Sequence, residues 1–325
     1  MTGDELCRAI KDYEPVEALY GSLWSRGEVA ILFADTNVGK SIMAMQIAHA
    51  ITQGRERFIP DIDVPAECAR VLLLDCELST RQFYNRYRRD DGTCYPFGEW
   101  LIRLSLGGDA CDEAAAAKAG VTFTEMILRD IETYVRESGV RAVIVDNISF
   151  LYQGTEVTAD ALELMRRLLE LKRRYDLSIL VLAHSPKRSR TCPITINDMQ
   201  GSKMLANLAD SVFAMGASAV DSSLRYIKQL KQRNTEQQYG SDHVIVCRLC
   251  RDSDKVRGML HFEFERYDYE CRHLLGRRTD GEGLYVPVTA RHSEIRAMHT
   301  DEGLSAREIA ERTGMSVSQI YKIIR

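Results

Sequence analysis

The residues best placed to do chemistry stand in one short run. Ala34-Asp35-Thr36-Asn37-Val38-Gly39-Lys40-Ser41 is preceded by the apolar stretch EVAILFA and followed by SIMAMQIAHAI, which has helical period. Strand, tight loop and helix in that order make a phosphate-binding loop, with Ala34 where the first glycine usually stands. Such a loop turns successive backbone N–H groups inward as an anion nest, and the helix beginning near Gly39 adds its dipole and free N–H groups. Gly39 permits close backbone approach, Lys40 carries a point charge to β- and γ-phosphates, and Ser41 offers a hydroxyl to Mg²⁺. The expected nucleotide-binding set is Ala34 to Ser41 with Ile42 of the first helical turn. Ala34 cannot take a glycine-only conformation, which leaves the loop's first turn in question.

A metal at this loop needs a carboxylate. RAVIVD supplies Asp146 at the end of an apolar strand, placed to hold Mg²⁺ through a water, because this small cation keeps part of its hydration shell. Hydrolysis also needs a group to orient or deprotonate the attacking water. Asn147 follows Asp146 directly and cannot be a base, so the base comes from elsewhere. ARVLLLDCELS ends another strand with Asp75 and Glu77. If the sheet places that strand beside the one leading into the phosphate loop, Glu77 is aimed at the γ-phosphate, with Asp75 as the alternative base.

The elements that must position these groups are legible as an alternation. EVAILFA, ARVLLLD, RAVIVD and LSILVLA read as buried parallel strands, since they are nearly continuous apolar runs. Between them lie helical stretches at 40–53, 79–89, 122–138 and 159–175, which implies right-handed crossovers and a parallel sheet flanked by helices. After about Gly201 the pattern changes to the shorter strands ADSVFAM, LRYIKQLK, HVIVCRL and MLHFEFER, an antiparallel extension of the same sheet. GRRTDGEGLYVPV reads as a linker. The expected organisation is an ATPase domain over 1–275, a linker over 276–290 and a small all-helical unit over 291–325.

Composition narrows the function classes. A chain of 325 residues, 45% hydrophobic and 28% charged, has the profile of a globular protein of about two domains. No apolar run approaches the roughly 18 residues needed to span a bilayer, and the N-terminus lacks the order of a signal peptide, so a cytoplasmic protein without a membrane partner is expected. Nine scattered cysteines do not form a disulfide framework. Cys247 and Cys250 make a CxxC, yet strand alternation points them to opposite faces, so a structural role is expected. With 43 Lys and Arg against 47 Asp and Glu, any nucleic-acid contact must be local.

Taken together, ADTNVGKS, LLLDCELS, VIVDNISFL, LVLAHSPKRS and GSKMLANLADSVFAM resemble the RecA-like hexameric ATPases over about residues 15–270. The chain looks closest to RepA-type plasmid replicative helicases and is more distantly similar to DnaB-type helicases. That resemblance implies an α/β RecA-like P-loop NTPase fold, ATP and Mg²⁺ as cofactors, Glu77 as catalytic base and His184 as a polar sensor of γ-phosphate loss; the alternative for His184 is a hydrogen-bonded loop residue. Lys231-Gln232-Arg233-Asn234 matches the KQRN of DnaB-type helicases, which implies that Lys231 and Arg233 reach into a neighbouring subunit's nucleotide. An arginine finger would neutralise transition-state charge there; the alternative is a basic strand face paired with nearby acids. Fingers acting in trans complete the site only in a homo-oligomer, expected to be a hexamer.

Two segments are candidates for DNA. SPKRSRTCPITINDMQ carries Lys187, Arg188 and Arg190 within four residues, which suits a loop that tracks single-stranded phosphates in a ring's centre, or else a merely solvated charge run. From Arg291 the chain fits three short helices with capping boxes at Ser305/Glu308 and Ser316/Gln319 around a Thr313-Gly314-Met315 turn. This resembles the helix-turn-helix units of bacterial DNA-binding proteins. It would leave Ser316, Ser318, Gln319, Tyr321 and Lys322 to a duplex groove, although similar trihelical units also dock proteins.

The resulting expectation is an ATP hydrolase that does work on DNA, in its sharpest form a ring-forming replicative helicase of a plasmid or mobile element. A non-unwinding recombination or repair loader, and an ATP-switched DNA-binding regulator with little turnover, are the alternatives.

Overall fold

The computed structural model describes residues 2–10, 16–54, 58–65, 67–106, 116, 118–150, 157–200, 203–252, 257–275, 295–300, 302–313, 315 and 317–324. The linker expected over 276–290 and the Ser316 cap lie outside them, as do the side chains of Ser318, Gln319 and Lys322. The chain forms two compact units, residues 1–273 and 274–325.

The first unit is a mixed α/β structure built on one nine-stranded sheet. Its strands are β3 (Val29–Ala34), β4 (Val71–Asp75), β5 (Leu101–Ser105), β6 (Ala142–Asp146), β7 (Ser178–His184), β8 (Ser211–Ala217), β9 (Leu224–Lys231), β10 (Val244–Cys250) and β11 (His261–Asp268). A separate small ribbon pairs β1 (Ala18–Tyr20) with β2 (Trp24–Ser25). The order across the large sheet is β11-β10-β9-β8-β3-β7-β6-β4-β5. The six strands from β8 to β5 run parallel, and β9 to β11 continue antiparallel.

Every residue of β3, β4 and β6 is buried, which is why those strands read as unbroken apolar runs. One hydrophobic cluster fills each face. On one face α4 (Phe123–Ser138) and α5 (Val157–Tyr175) lie against residues such as Val143 and Val181. On the other sits α2 (Lys40–Gln53), preceded in the chain by α1 (Gly3–Ile10). The helix α3 (Thr80–Tyr87) opens on a capping box made by Ser79 and Gln82.

Helix α2 is buried at twelve of its fourteen positions, so it has no solvent face and little amphipathic signal. Sheet residues, those of β11 among them, and Tyr95 and Phe97 pack around it in one cluster. Gln46, fully buried on α2, accepts from the Phe262 amide at 2.7 Å and donates to the Phe262 carbonyl at 3.0 Å. Those bonds satisfy part of the open edge of β11, where an unpaired strand would otherwise expose its backbone.

One expectation is corrected here. Strand β4 is not beside β3 but three places away, separated by β7 and β6. Strand order therefore does not carry Glu77 to the phosphate loop; the turn after β4 does. Strand β5, LIRLS, was not anticipated: it is half-buried at the sheet edge, with Arg103 at its centre.

The second unit contains helical backbone at 295–300 followed by α7 (Ala306–Thr313) and α8 (Val317–Ile324), the short helix α6 (Lys203–Leu208) belonging to the first unit. Its core is Ile295, Ala306, Ile309, Ala310, Ile320 and Ile323. Ser305 and Glu308 form the capping box that starts α7. Among the described residues, no helix is long and apolar enough to cross a membrane.

Candidate active site

The parallel strands bring their C-terminal ends to one edge, and the candidate residues gather there. Strand pairing sets Ala34 beside His184 and Asp75 beside Asp146. Open α/β sheets bind ligands along this edge, because the loops there diverge and leave a crevice.

Ala34 closes β3 in ordinary extended backbone, and its carbonyl accepts from Lys40 Nζ at 3.2 Å and from the Ser185 amide at 3.1 Å. No glycine is needed at that point. The special conformations fall later: Asn37 has φ 62° and Gly39 φ 110°. At Gly39 a side chain is also excluded by space, since a Cβ would lie 2.6 Å from the Phe262 ring. Val38 is buried, Thr36 and Asn37 are exposed, and Gly39 caps α2, whose first residues are Lys40, Ser41 and Ile42.

Two arginines brace this loop from outside. Arg225 of β9 donates from Nε to the Val38 carbonyl at 2.8 Å. Arg188, whose side chain is only 7% exposed, sets Nε 3.5 Å from Asp35 Oδ2. Neither role was anticipated; Arg225 lies in β9 ahead of the KQRN run and outside any motif, and Arg188 was expected to face DNA.

Asp146 is buried and hydrogen-bonded to Ser41. Burial, with repulsion from Glu77 and Asp75, pushes its carboxyl up to about 7 against the opposing effects of Ser41 and Lys40. Its Oδ1 is buried with no hydrogen-bond partner. An orphaned carboxylate oxygen beside a hydroxyl is the hard-oxygen donor set that Mg²⁺ takes. These residues fit the metal: Ser41 and Asp146 would hold it, and it would neutralise charge on the phosphates. Lys40 is likewise buried, which lowers its ammonium's pKa against the pull of Asp146, Glu77 and Asp35.

Glu77, His184, Lys40 and Asn147 form one connected group. His184 Nδ1 is 3.0 Å from Lys40 Nζ, and Nε2 is 3.1 Å from Glu77 Oε1. An ammonium can only donate, so Nδ1 accepts and the Nε2 proton points to the carboxylate. The Asn147 amide Nδ2 lies 2.8 Å from His184 Nε2 and also donates to Glu77 Oε1.

Asp75 is differently occupied. Its Oδ1 accepts the amides of Glu77 at 3.2 Å and Leu78 at 2.9 Å, while Oδ2 takes Arg103 Nε at 2.9 Å. Arg103 also donates to the Leu78 carbonyl at 2.6 Å and lies 4.4 Å from the Phe83 ring centroid. Asp75 thus shapes the turn that delivers Glu77, leaving Glu77, half-exposed, as the carboxylate with free capacity.

The remaining predicted residues are not brought to this site. Lys231 pairs in register with Val212, and its three donor sites meet the carbonyls of Ala206 at 2.7 Å, Asn207 at 3.2 Å and Ala209 at 2.7 Å, at the end of α6. Arg233 donates to Asp210 Oδ1 at 3.1 Å and to the Asn207 carbonyl at 2.8 Å. Asp210 also receives the Val29 amide, so Arg233 stands at the opposite end of β3, about 17 Å of strand away from the phosphate loop.

The 185–200 segment is a compact loop with its ends joined by the Gln200 amide and the His184 carbonyl at 2.8 Å. Its arginines have partners within the chain. Arg188 faces Asp35, and Arg190 donates to the Ala217 and Ser218 carbonyls at 3.3 Å each. The far end is fixed by a buried pair, Lys228 and Glu270 at 2.6 Å, which hold the Ile194 carbonyl and amide. Lys187 stays exposed. In the second unit Tyr321 is 53% exposed on α8.

A fold of this order and a site of this composition define a P-loop NTPase. The chain belongs to the AAA domain family, a RecA-like group of P-loop ATPases, whose model matches residues 7–190, more than half its length. Membership implies nucleotide binding and ATP hydrolysis, usually with Mg²⁺. No curated protein matches the chain.

Proposed function

We propose that the protein is a Mg²⁺-dependent ATPase that assembles as a homo-oligomeric ring and couples hydrolysis to work on DNA, in its sharpest form as a replicative helicase of a plasmid or mobile element. The observation that carries the reading is the division of the machinery between two edges of one sheet. Lys40, Ser41, Asp146, Glu77 and His184 meet at one edge, while Arg233 stands at the other. A head-to-tail arrangement of copies would set one subunit's Arg233 against the next subunit's phosphates, and it forms a ring where the rotation between copies closes. Single-stranded DNA would then pass Lys187 of each subunit, and duplex DNA would meet Tyr321 with Ser316, Ser318, Gln319 and Lys322 of the second unit.

One observation favours a second reading. Lys187 and Arg190 are both exposed, but Arg188 and Arg190 are bonded within the chain, so among the described residues Lys187 is the cation of the 185–200 loop with no partner of its own. That supports a loader or regulator whose DNA contact is made chiefly by the helical unit. ATPase rates with and without single-stranded DNA, strand displacement on a forked substrate and the assembly mass in ATP and Mg²⁺ separate the readings. Displacement supports the helicase; stimulated hydrolysis without displacement supports the loader; duplex binding with negligible turnover supports the regulator. A lone subunit with no affinity for ATP sinks all three.

A further inference from the structure

Asn147 was set aside in the sequence because an amide cannot abstract a proton. In the fold it is buried between the two groups that matter most, Glu77 and His184. We infer that Asn147 is a positioning residue for Glu77, and that Ser149 fixes the orientation in which it works. The inference rests on Glu77 being the base of the proposed ATPase.

The hydrogen-bond directions carry the argument. Ser149 Oγ donates to Asn147 Oδ1, which turns the amide so that Nδ2 faces Glu77 Oε1. A flipped amide would place its carbonyl oxygen against the Glu77 carboxylate and its NH2 against the Ser149 hydroxyl, which could then no longer donate to it. His184 reaches the same Oε1 through its Nε2 proton. Both donors therefore converge on one oxygen of Glu77. Among the described residues Oε2 has no hydrogen-bond donor, so it is the oxygen left to accept a proton from water.

Two donors on Oε1 also hold the carboxylate plane. Glu77 has a long, half-exposed side chain, and without those bonds it would populate rotamers aimed at solvent. Lys40, Ser41 and Asp146 do not touch Asn147 in any hydrogen bond described, so its loss spares the phosphate and metal groups. The expected signature is a fall in turnover without a fall in nucleotide affinity.

The test is steady-state ATPase kinetics on the full chain with ATP and Mg²⁺, for Asn147→Ala, Ser149→Ala and Glu77→Gln singly and for the double variant Asn147→Ala/Glu77→Gln. Asn147→Ala is expected to lower kcat about tenfold or more with KM within about threefold, and to add nothing to Glu77→Gln, because both act on one step. Ser149→Ala is expected to lose about threefold in kcat with KM unchanged, and it decides the matter if Asn147→Ala does not fold. An active wild type whose kcat survives both substitutions overturns the inference, as does a loss confined to KM or one additive with Glu77→Gln. A wild type that does not hydrolyse ATP overturns the proposed function itself, and this inference with it.

Discussion

Arg188 sets its guanidinium 3.5 Å from the carboxylate of Asp35, so the loop that follows β7 is ionically joined to the loop that follows β3. The pair is shielded on the arginine side, where the exposed fraction is 7%, and is therefore stronger than an ordinary surface pair. Arg188→Ala should raise the KM for ATP several-fold by loosening the phosphate loop, whereas Lys187→Ala should leave KM alone and weaken any stimulation by single-stranded DNA. Titrating ATPase rates against ATP, and then against an oligonucleotide, separates the two. Equal effects of both variants on KM would show that the ion pair does not brace the loop.

Glu77→Gln should bind ATP and Mg²⁺ as the wild type does while turnover falls by about 10² to 10⁴, the usual contribution of a general base. Lys40→Ala should instead lose affinity, because it removes an ammonium buried beside the loop. Binding of a fluorescent ATP analogue alongside the hydrolysis rate reads both. Normal turnover by Glu77→Gln would return the role of base to another residue.

Asp146 makes stability depend on pH in a specific direction. Its carboxyl holds its proton up to about 7 in the fold, against an ordinary value of 3.8. Between those values the unfolded chain has lost a proton that the native chain keeps, so stability falls as pH rises from about 4 through 7. The full effect is on the order of 4 kcal/mol for a group so buried. In a metal chelator, Asp146→Asn should flatten this decline and raise Tm at pH 8, while Mg²⁺ with ATP should stabilise the wild type alone. Thermal melts at pH 5 and pH 8 check the sign.

Arg103→Ala should cost about 3 kcal/mol, because it leaves the Asp75 carboxylate buried without its partner. The turn carrying Glu77 loses two anchors in the same step, so kcat should fall with little change in nucleotide affinity. Chemical denaturation and ATPase kinetics on the same preparation test it; a stable variant with normal turnover refutes the role given to Asp75.

Lys231 and Arg233 should behave differently, although the sequence pairs them. Lys231→Ala exposes three helix-end carbonyls and should lower Tm; Arg233→Ala should leave stability nearly intact and abolish turnover in the assembly. Mixing Arg233→Ala with Lys40→Ala subunits should restore part of the activity, since each supplies what the other lacks. Failure of every mixing ratio to do so argues against a residue shared between subunits.

The sequence was most informative where one constraint acts alone. A strand buried on both faces has to be apolar throughout, so β3, β4, β6 and β7 could be read directly, and the phosphate loop followed from its glycine, lysine and flanking elements. Strand β5 escaped because it is half-buried and carries Arg103 for a carboxylate on the neighbouring β4, 28 residues back in the chain, which no periodicity records. The order β3-β7-β6-β4 is a long-range property, and guessing it wrongly did not spoil Glu77, because Asp75 bends the following turn over β6. The basic character of 187–190 was visible, but whether a guanidinium meets phosphate or a carbonyl of its own chain is decided only when the Ala217 and Ser218 carbonyls arrive beside it.

The family match ends at residue 190, yet β8 pairs along β3 and Phe262 lies against Gly39. A fragment cut where the likeness stops would bare one margin of the strand that launches the nucleotide loop and strip the lid from α2. Ancestry and self-sufficiency thus have different borders in this chain. Anyone shortening it for expression should keep everything through about His273, even though the family match does not reach the last 80 or so residues of that piece.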